Sequence, residues 1–188
     1  IDEIKIIQIN LWEGEQRTEQ FKSLNPSATV PLLLLEDGTA ISETTAITEY
    51  IDHTYNDHGV KLTGSTAKER AIIHMMQRRG EQKIVDAIGA YFHHATPGFG
   101  PEIELNQNKE WGEAHLEKTI DGMRYFNDVL KNSNFIAGDQ FSMADITVFA
   151  GLDFSEKYPK VLVPDDCDAL QEWRDNLRSR NSIVRTYQ

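Results

Sequence analysis

Between Asn25 and Tyr50 the chain reads NPSATVPLLLLEDGTAISETTAITEY, and this stretch leaves few folds open. Asn25-Pro26 ends whatever helix precedes it, because the residue before a proline avoids the α region. Val30 to Leu35 is a near-continuous apolar run opened by a Val-Pro pair, the pattern of a strand covered on both faces. Asp37-Gly38 is a strong hairpin signal, since glycine accepts positive φ without steric cost. Thr39 to Ile41 returns as the partner strand. Ser42 then offers an N-cap, and Ala46, Ile47, Tyr50 and Ile51 recur at helical spacing behind it. The expectation is a strand, a tight turn, a second strand and a capped helix.

The flanking sequence extends this unit. Glu3 to Asn10 alternates in polarity and predicts a half-buried strand. Leu11 to Gly14 predicts a turn, and Glu15 to Leu24 a short surface helix. After Tyr50, the segment from His53 to Gly64 is polar and irregular and predicts a linker. Everything beyond it has helical spacing. Thr66 and Glu69 form a capping box. Ile72, Met76, Ile84, Ile88 and Phe92 then mark a long helix that the run from Ala95 to Pro101 breaks. A second long helix is predicted from about Glu104 to Leu130, with Leu116, Ile120, Met123, Phe126 and Leu130 as its stripe. Ser142 and Asp145 form another capping box, and the helix it opens is apolar on most sides, so it belongs in the centre of a core. Asp168 to Arg178 is amphipathic, with Leu170, Trp173 and Leu177 facing inward. Strands come first and helices follow, which predicts an α/β unit followed by an all-α domain. The boundaries are residues 1–55 for the first domain, 56–64 for the linker and 65–188 for the second.

Composition narrows the function classes. The 188 residues are 39% hydrophobic and 26% charged, within the range of ordinary globular proteins. Net charge is −11 and no Lys/Arg cluster stands out. Partners such as nucleic acid or an anionic membrane surface are disfavoured. No apolar run approaches the roughly 20 residues that span a bilayer. The one cysteine, Cys167, allows no internal disulfide and fits a reducing cytoplasm. It lies among Asp165, Asp166 and Asp168, whose charge opposes a thiolate. The chain opens on Ile1, directly in strand-like sequence, so further residues are expected before it.

Two sets of motifs carry a resemblance to a known family. Val30-Pro31, the Asp37-Gly38 hairpin, Ser42-Glu43-Thr44 and Ala46-Ile47 with Tyr50 resemble the glutathione-binding half of the glutathione transferases. Phe135 to Asp139, then Phe141 to Ile146, resembles the core motif of that family's helical domain. Finer matches at 45–52, 73–76, 91–98 and 107–112 resemble an atypical fungal and bacterial branch. The resemblance implies a thioredoxin-like domain joined to an all-α C-terminal domain, a homodimer, and glutathione as co-substrate with no metal. It also implies that the family's first strand and first helix, where most members carry the Tyr, Ser or Cys that activates glutathione, are missing from these residues.

Site residues follow from the same resemblance. The family's Pro31 bond is cis, and Val30 would pair its N–H and C=O with the cysteinyl backbone of glutathione, a strand-addition mode of binding. Glu43 and Thr44 would hold the γ-glutamyl end at a helix start, where free amides favour an anion. Without a ligand, the same residues read simply as a strand opening at proline and a capped helix. Relatives often place a basic residue near Gln16 and Ala28 for the glycine carboxylate; here Gln16 can hydrogen-bond, Ala28 cannot, and Thr29 is a substitute. In the atypical branch a water held by an imidazole and a hydroxyl helps ionise the thiol. His93 is the candidate imidazole, while Gly89 stands where a serine would supply the hydroxyl. A helix-capping or packing role explains His93 as well. His93 and His94 point about 100° apart on a helix and do not make a shared metal site. Ser142 and Asp145 are explained by capping alone. Tyr91, Phe92 and Phe99 could line an apolar pocket, although aromatic residues at such spacing more often belong to a core.

The expected function is conjugation of glutathione to small apolar electrophiles. A non-catalytic glutathione-binding or scaffold protein, or a glutathione-dependent reductase or peroxidase, would use the same fold.

Overall fold

The structure is a computed structural model describing residues 4–55 and 61–186. Its contacts divide the chain into two compact units, Ile1–Thr63 and Gly64–Gln188. The first part of the expected linker, 56–60, lies outside the described residues.

In the first unit, two 3-10 turns (Leu11–Glu13 and Glu15–Arg17) meet at Gly14, whose φ is 73°. Helix α1 (Glu19–Leu24) follows, with the Thr18 hydroxyl accepting from the Phe21 amide. Strands β1 (Leu32–Leu34) and β2 (Ala40–Ser42) pair antiparallel, with Leu32 opposite Ser42 and Leu34 opposite Ala40. The turn between them is closed by Gly38 N–H donating to Leu35 C=O, with Gly38 at φ 86°. The Asp37 carboxylate accepts the Thr39 amide at 2.9 Å, which holds its pKa below the ordinary value. Helix α2 (Thr44–Thr54) ends the motif.

Three expectations change here. Residues 4–10 form no strand: among the described residues β1 and β2 pair only with each other, and a strand exists only where a neighbour completes its ladder. Leu34 is 52% exposed, so the apolar run is not covered on both faces by described residues. The N-cap of α2 is Glu43 rather than Ser42, because Ser42 is still paired to Leu32.

Helix α2 is held at its far end by a clasp that sequence reasoning missed. Asp52 accepts the amides of Leu62 and Thr63 at 2.9 and 3.0 Å and the Thr63 hydroxyl at 2.6 Å. Burial alone would raise the Asp52 pKa, but these bonds together hold it below its ordinary value.

The second unit begins with the expected capping box. Thr66 accepts the Glu69 amide, and Glu69 accepts the amides of Ser65 and Thr66. Helix α3 (Ala67–Gly80) passes through a π-helical turn (Glu81–Val85) into α4 (Asp86–Ala95). Helix α5 (Lys109–Leu130) packs along α4 and α6 (Met143–Lys157) along α3; α7 (Asp168–Arg178) and α8 (Asn181–Thr186) complete the unit. Helix α5 starts at Lys109 and not near Glu104, because its N-cap is Asn108, whose side chain accepts the Trp111 amide. At Gly122 the two helical layers meet so closely that a Cβ would lie 2.5 Å from the Lys83 carbonyl oxygen.

The core gathers Met76, Ile84, Met123, Phe126, Val148, Leu152, Leu170 and Trp173. Helix α6 is buried as its composition predicts. Its Asp145 is fully buried and accepts from the Ile136 and Ser142 amides, the Ser142 hydroxyl and the Trp173 indole N–H. Burial pushes its pKa up against these four bonds. Buried Arg174 donates to the Leu152 carbonyl and pairs with Glu156, which also accepts from Arg178 at 2.7 Å.

Candidate functional site

The β1–β2 register decides what the first unit can present. With Leu32 opposite Ser42, the residues just before β1 and just after β2 lie side by side: Val30-Pro31 along one rim, Glu43-Thr44 along the other. The Val30–Pro31 bond is cis. Val30 is exposed, and its backbone N–H and C=O make no hydrogen bond among the described residues. That backbone is an open edge that an extended peptide can extend by main-chain pairing.

Glu43 turns the chain from β2 into α2 at φ 70° and ψ 121°, outside the regions open to an ordinary L-residue. A non-glycine residue held there carries a strain of about 1–3 kcal/mol, a cost usually retained at functional positions. Its side chain is exposed and does not cap the helix. The first turn of α2 therefore starts without a side-chain cap from Glu43, beside the unpaired backbone of Val30. Such a helix start favours an anion.

The third element is Gln16, on the turn Glu15–Arg17. It is half-buried, and its Oε1 is enclosed without a hydrogen-bond partner among the described residues. An amide can present either its oxygen or its NH₂ at such a point, so Gln16 can answer a carboxylate or a donor. Thr29 is engaged already: its Oγ1 and carbonyl accept from the Asn25 amide group. Ala28 sits at φ 54° and offers no side-chain donor.

In the second unit His93 lies at the end of α4. Its Nδ1 is 2.8 Å from Glu104 Oε1, and the same oxygen accepts the Phe99 amide at 3.0 Å. His94 turns elsewhere: its Nδ1 accepts the Asn108 amide, and its ring packs edge-on against Trp111. Around His93 the rings of Phe92 and Phe99 stand at 5.1 and 5.5 Å between centroids, and Phe92 also meets Phe154 and Tyr158. Of the aromatic residues singled out in the sequence, Phe92 and Phe99 join this cluster; Phe154 and Tyr158, far along the chain, come to it only through the packing of α6. Cys167 is buried, and burial together with Asp166 pushes its thiol pKa up, against a nucleophilic role.

An open cis-proline edge beside an uncapped helix start, followed by a bundle of helices, defines a two-domain protein with a thioredoxin-like N-terminal domain and an all-α C-terminal domain. Comparison with known proteins agrees. The profile of the glutathione S-transferase N-terminal domain matches residues 2–54, and that of the C-terminal domain matches residues 84–181. Glutathione S-transferase 2 of Saccharomyces cerevisiae is 49% identical over 183 residues, covering 97% of this chain and 77% of the relative. The crystal structure of Gtt2 from the same yeast superposes with a TM-score of 0.92 at 50% identity, over 96% of this chain and 86% of the other. A glutathione S-transferase domain-containing protein of Marinobacter aquaeolei gives a TM-score of 0.90 at 46% identity, over 94% and 85%. The chain belongs to the glutathione S-transferase family, in the atypical branch that its resemblance to the yeast protein marks. It is accordingly a glutathione-using enzyme, a transferase.

Proposed function

We propose that the enzyme conjugates the glutathione thiolate to small apolar electrophiles, as a cytoplasmic homodimer. The observation that supports this most directly is the open Val30 backbone beside the uncapped start of α2. Glutathione is an extended tripeptide with a carboxylate at each end. Val30 would pair with its cysteinyl N–H and C=O. The Thr44 amide and hydroxyl would hold the γ-glutamyl carboxylate, and Glu43 would accept from the ammonium. Gln16 would meet the glycine carboxylate.

The chemistry is then a substitution or addition at carbon. The thiol loses its proton, sulfur forms a bond to the electrophilic carbon, and in a substitution the leaving group departs with its electron pair. A thiol with a pKa near 8.5 is only a few per cent ionised at pH 7, so stabilising the thiolate is the protein's main contribution. His93 is the proposed base. The ring cluster of Phe92, Phe99, Phe154 and Tyr158 supplies the apolar surface expected for the electrophile.

Retention on immobilised glutathione and turnover of a chlorinated nitrobenzene test the reading together. Glu43→Ala should raise the glutathione KM several-fold, by about 1 kcal/mol of lost charge-assisted hydrogen bonding, with folding intact. Unchanged glutathione binding would remove the γ-glutamyl end from this position. Retention without turnover would favour a non-catalytic glutathione-binding protein.

A further inference from the structure

The contact between His93 and Glu104 has a chemical consequence for the imidazole. A carboxylate only accepts hydrogen bonds, and Glu104 Oε1 already receives the Phe99 amide. At 2.8 Å from that oxygen, His93 Nδ1 must therefore donate. In the neutral ring, one nitrogen donates and the other accepts, so a proton fixed on Nδ1 leaves the lone pair on Nε2.

The surroundings hold this carboxylate in place. The Glu104 side chain is 9% exposed, against 41% for His93, so the acid is the enclosed partner and the imidazole the accessible one. The loop wraps tightly around it: a Cβ on Gly98 would lie 2.3 Å from Oε1, and at φ 53° any side chain here would be strained. Gln107 fastens the loop to the end of α4, donating to the carbonyls of His93 and Thr96 at 2.8 and 2.6 Å. The Thr96 hydroxyl donates to the Phe92 carbonyl at 2.6 Å. The backbone of His93 and the acceptor of its side chain are thus fixed by one loop, 96–107.

We infer that Glu104 is the positioning residue for His93: it holds the proton on Nδ1, orients the ring and presents Nε2 as the basic nitrogen. The inference rests on the proposed role of His93 as base for the glutathione thiol. In that step the S–H bond breaks and an Nε2–H bond forms, directly or through one water. The ring becomes a cation with Nδ1–H still on Glu104, whose negative charge offsets it. The proton then leaves to solvent, so no oxidant or reductant is needed.

Two variants and two readouts test this. Glu104→Ala removes the acceptor. Glu104→Gln keeps an amide oxygen that can accept from both Nδ1–H and the Phe99 amide but removes the charge. With ¹⁵N-labelled histidine, and His93→Gln used to assign the His93 signal, wild-type neutral His93 should show the Nδ1–H form. Glu104→Ala should convert it largely to the Nε2–H form. In glutathione conjugation of a chlorinated nitrobenzene, Glu104→Ala should lower kcat about tenfold or more, the usual cost of losing a residue that orients a functional histidine. The glutathione KM should change little, and Glu104→Gln should recover part of the loss. A purely structural loop anchor would leave the tautomer where it is. If Glu104→Ala leaves His93 in the Nδ1–H form, or if neither Glu104 variant lowers kcat while His93→Gln does, the inference is overturned and the role of His93 stands. If His93→Gln itself leaves kcat unchanged, the role of His93 falls and the catalytic part of the inference falls with it.

Discussion

The two units are stabilised in different ways. In the helical unit, apolar side chains from α3, α5, α6 and α7 close over one another, and the charged groups inside, Asp145 and Arg174, are hydrogen-bonded or ion-paired. In the N-terminal unit the buried described residues are Phe21, Asn25 and Thr63, two of them polar. What fixes that unit is a set of local hydrogen bonds: Asn25 across its turn to Thr29, Asp37 at the hairpin, Asp52 clasping Leu62 and Thr63. In the proposed binding mode this unit pairs with a peptide through the Val30 backbone, which has to stay unpaired. It therefore depends on short-range polar contacts where the helical unit depends on burial.

The contrast can be broken by removing one carboxylate from each unit. Asp145→Ala would leave two buried amides, a hydroxyl and an indole N–H without their acceptor. At about 1–3 kcal/mol for each unsatisfied group, partly recovered by relaxation, the helical unit should lose about 4 kcal/mol in urea denaturation followed by circular dichroism. A loss below about 1 kcal/mol would mean that water or a neighbour replaces the carboxylate.

Asp52→Ala should cost less, about 2 kcal/mol, and the loss should be confined to the N-terminal unit. Hydrogen exchange should quicken in α2 and at Leu62 and Thr63, with α5 and α6 unchanged. The pH dependence has a definite sign. The folded Asp52 pKa lies below its ordinary 3.8, so its stabilisation is present above that value and disappears as pH falls through the lower folded one. Wild type and variant should converge in acid. Equal quickening in α6 would show that the two units open together.

The smallest effect sharpens the comparison within the helical unit. Gly89 lies inside α4, and a Cβ there meets nothing within 4 Å. Gly89→Ala should raise stability by about 0.5–1 kcal/mol, seen as a higher melting temperature. A decrease would reveal a constraint on this face of α4 that the packing does not contain.

Much of this was legible in the chain. The Asp37-Gly38 turn, the Thr66–Glu69 capping box, the buried α6 and the inward face of α7 follow from local chemistry, and the structure has them where they are expected. The errors share a cause. Residues 4–10 alternate like a strand but have no ladder partner, and Ser42 looks like a cap but is spent in β2. Glu104 looks like the first turn of a helix but turns back to His93. In each case a contact distant in sequence, or its absence, overrode the local preference.

By itself the sequence determined the Asp37-Gly38 hairpin, the capping box and buried helix of the second unit and the plan of an α/β unit followed by helices, while its resemblance to the family marked Val30, Pro31, Glu43 and Thr44. The hairpin and the capped helices depend on spacing, glycine geometry and helix capping, all set within a few residues. Only the tertiary structure decided that Val30-Pro31 faces Glu43-Thr44, that Asp52 closes α2, and that Glu104 fixes the tautomer of His93. Those outcomes depend on strand register and loop closure, which bring together groups that no local preference links.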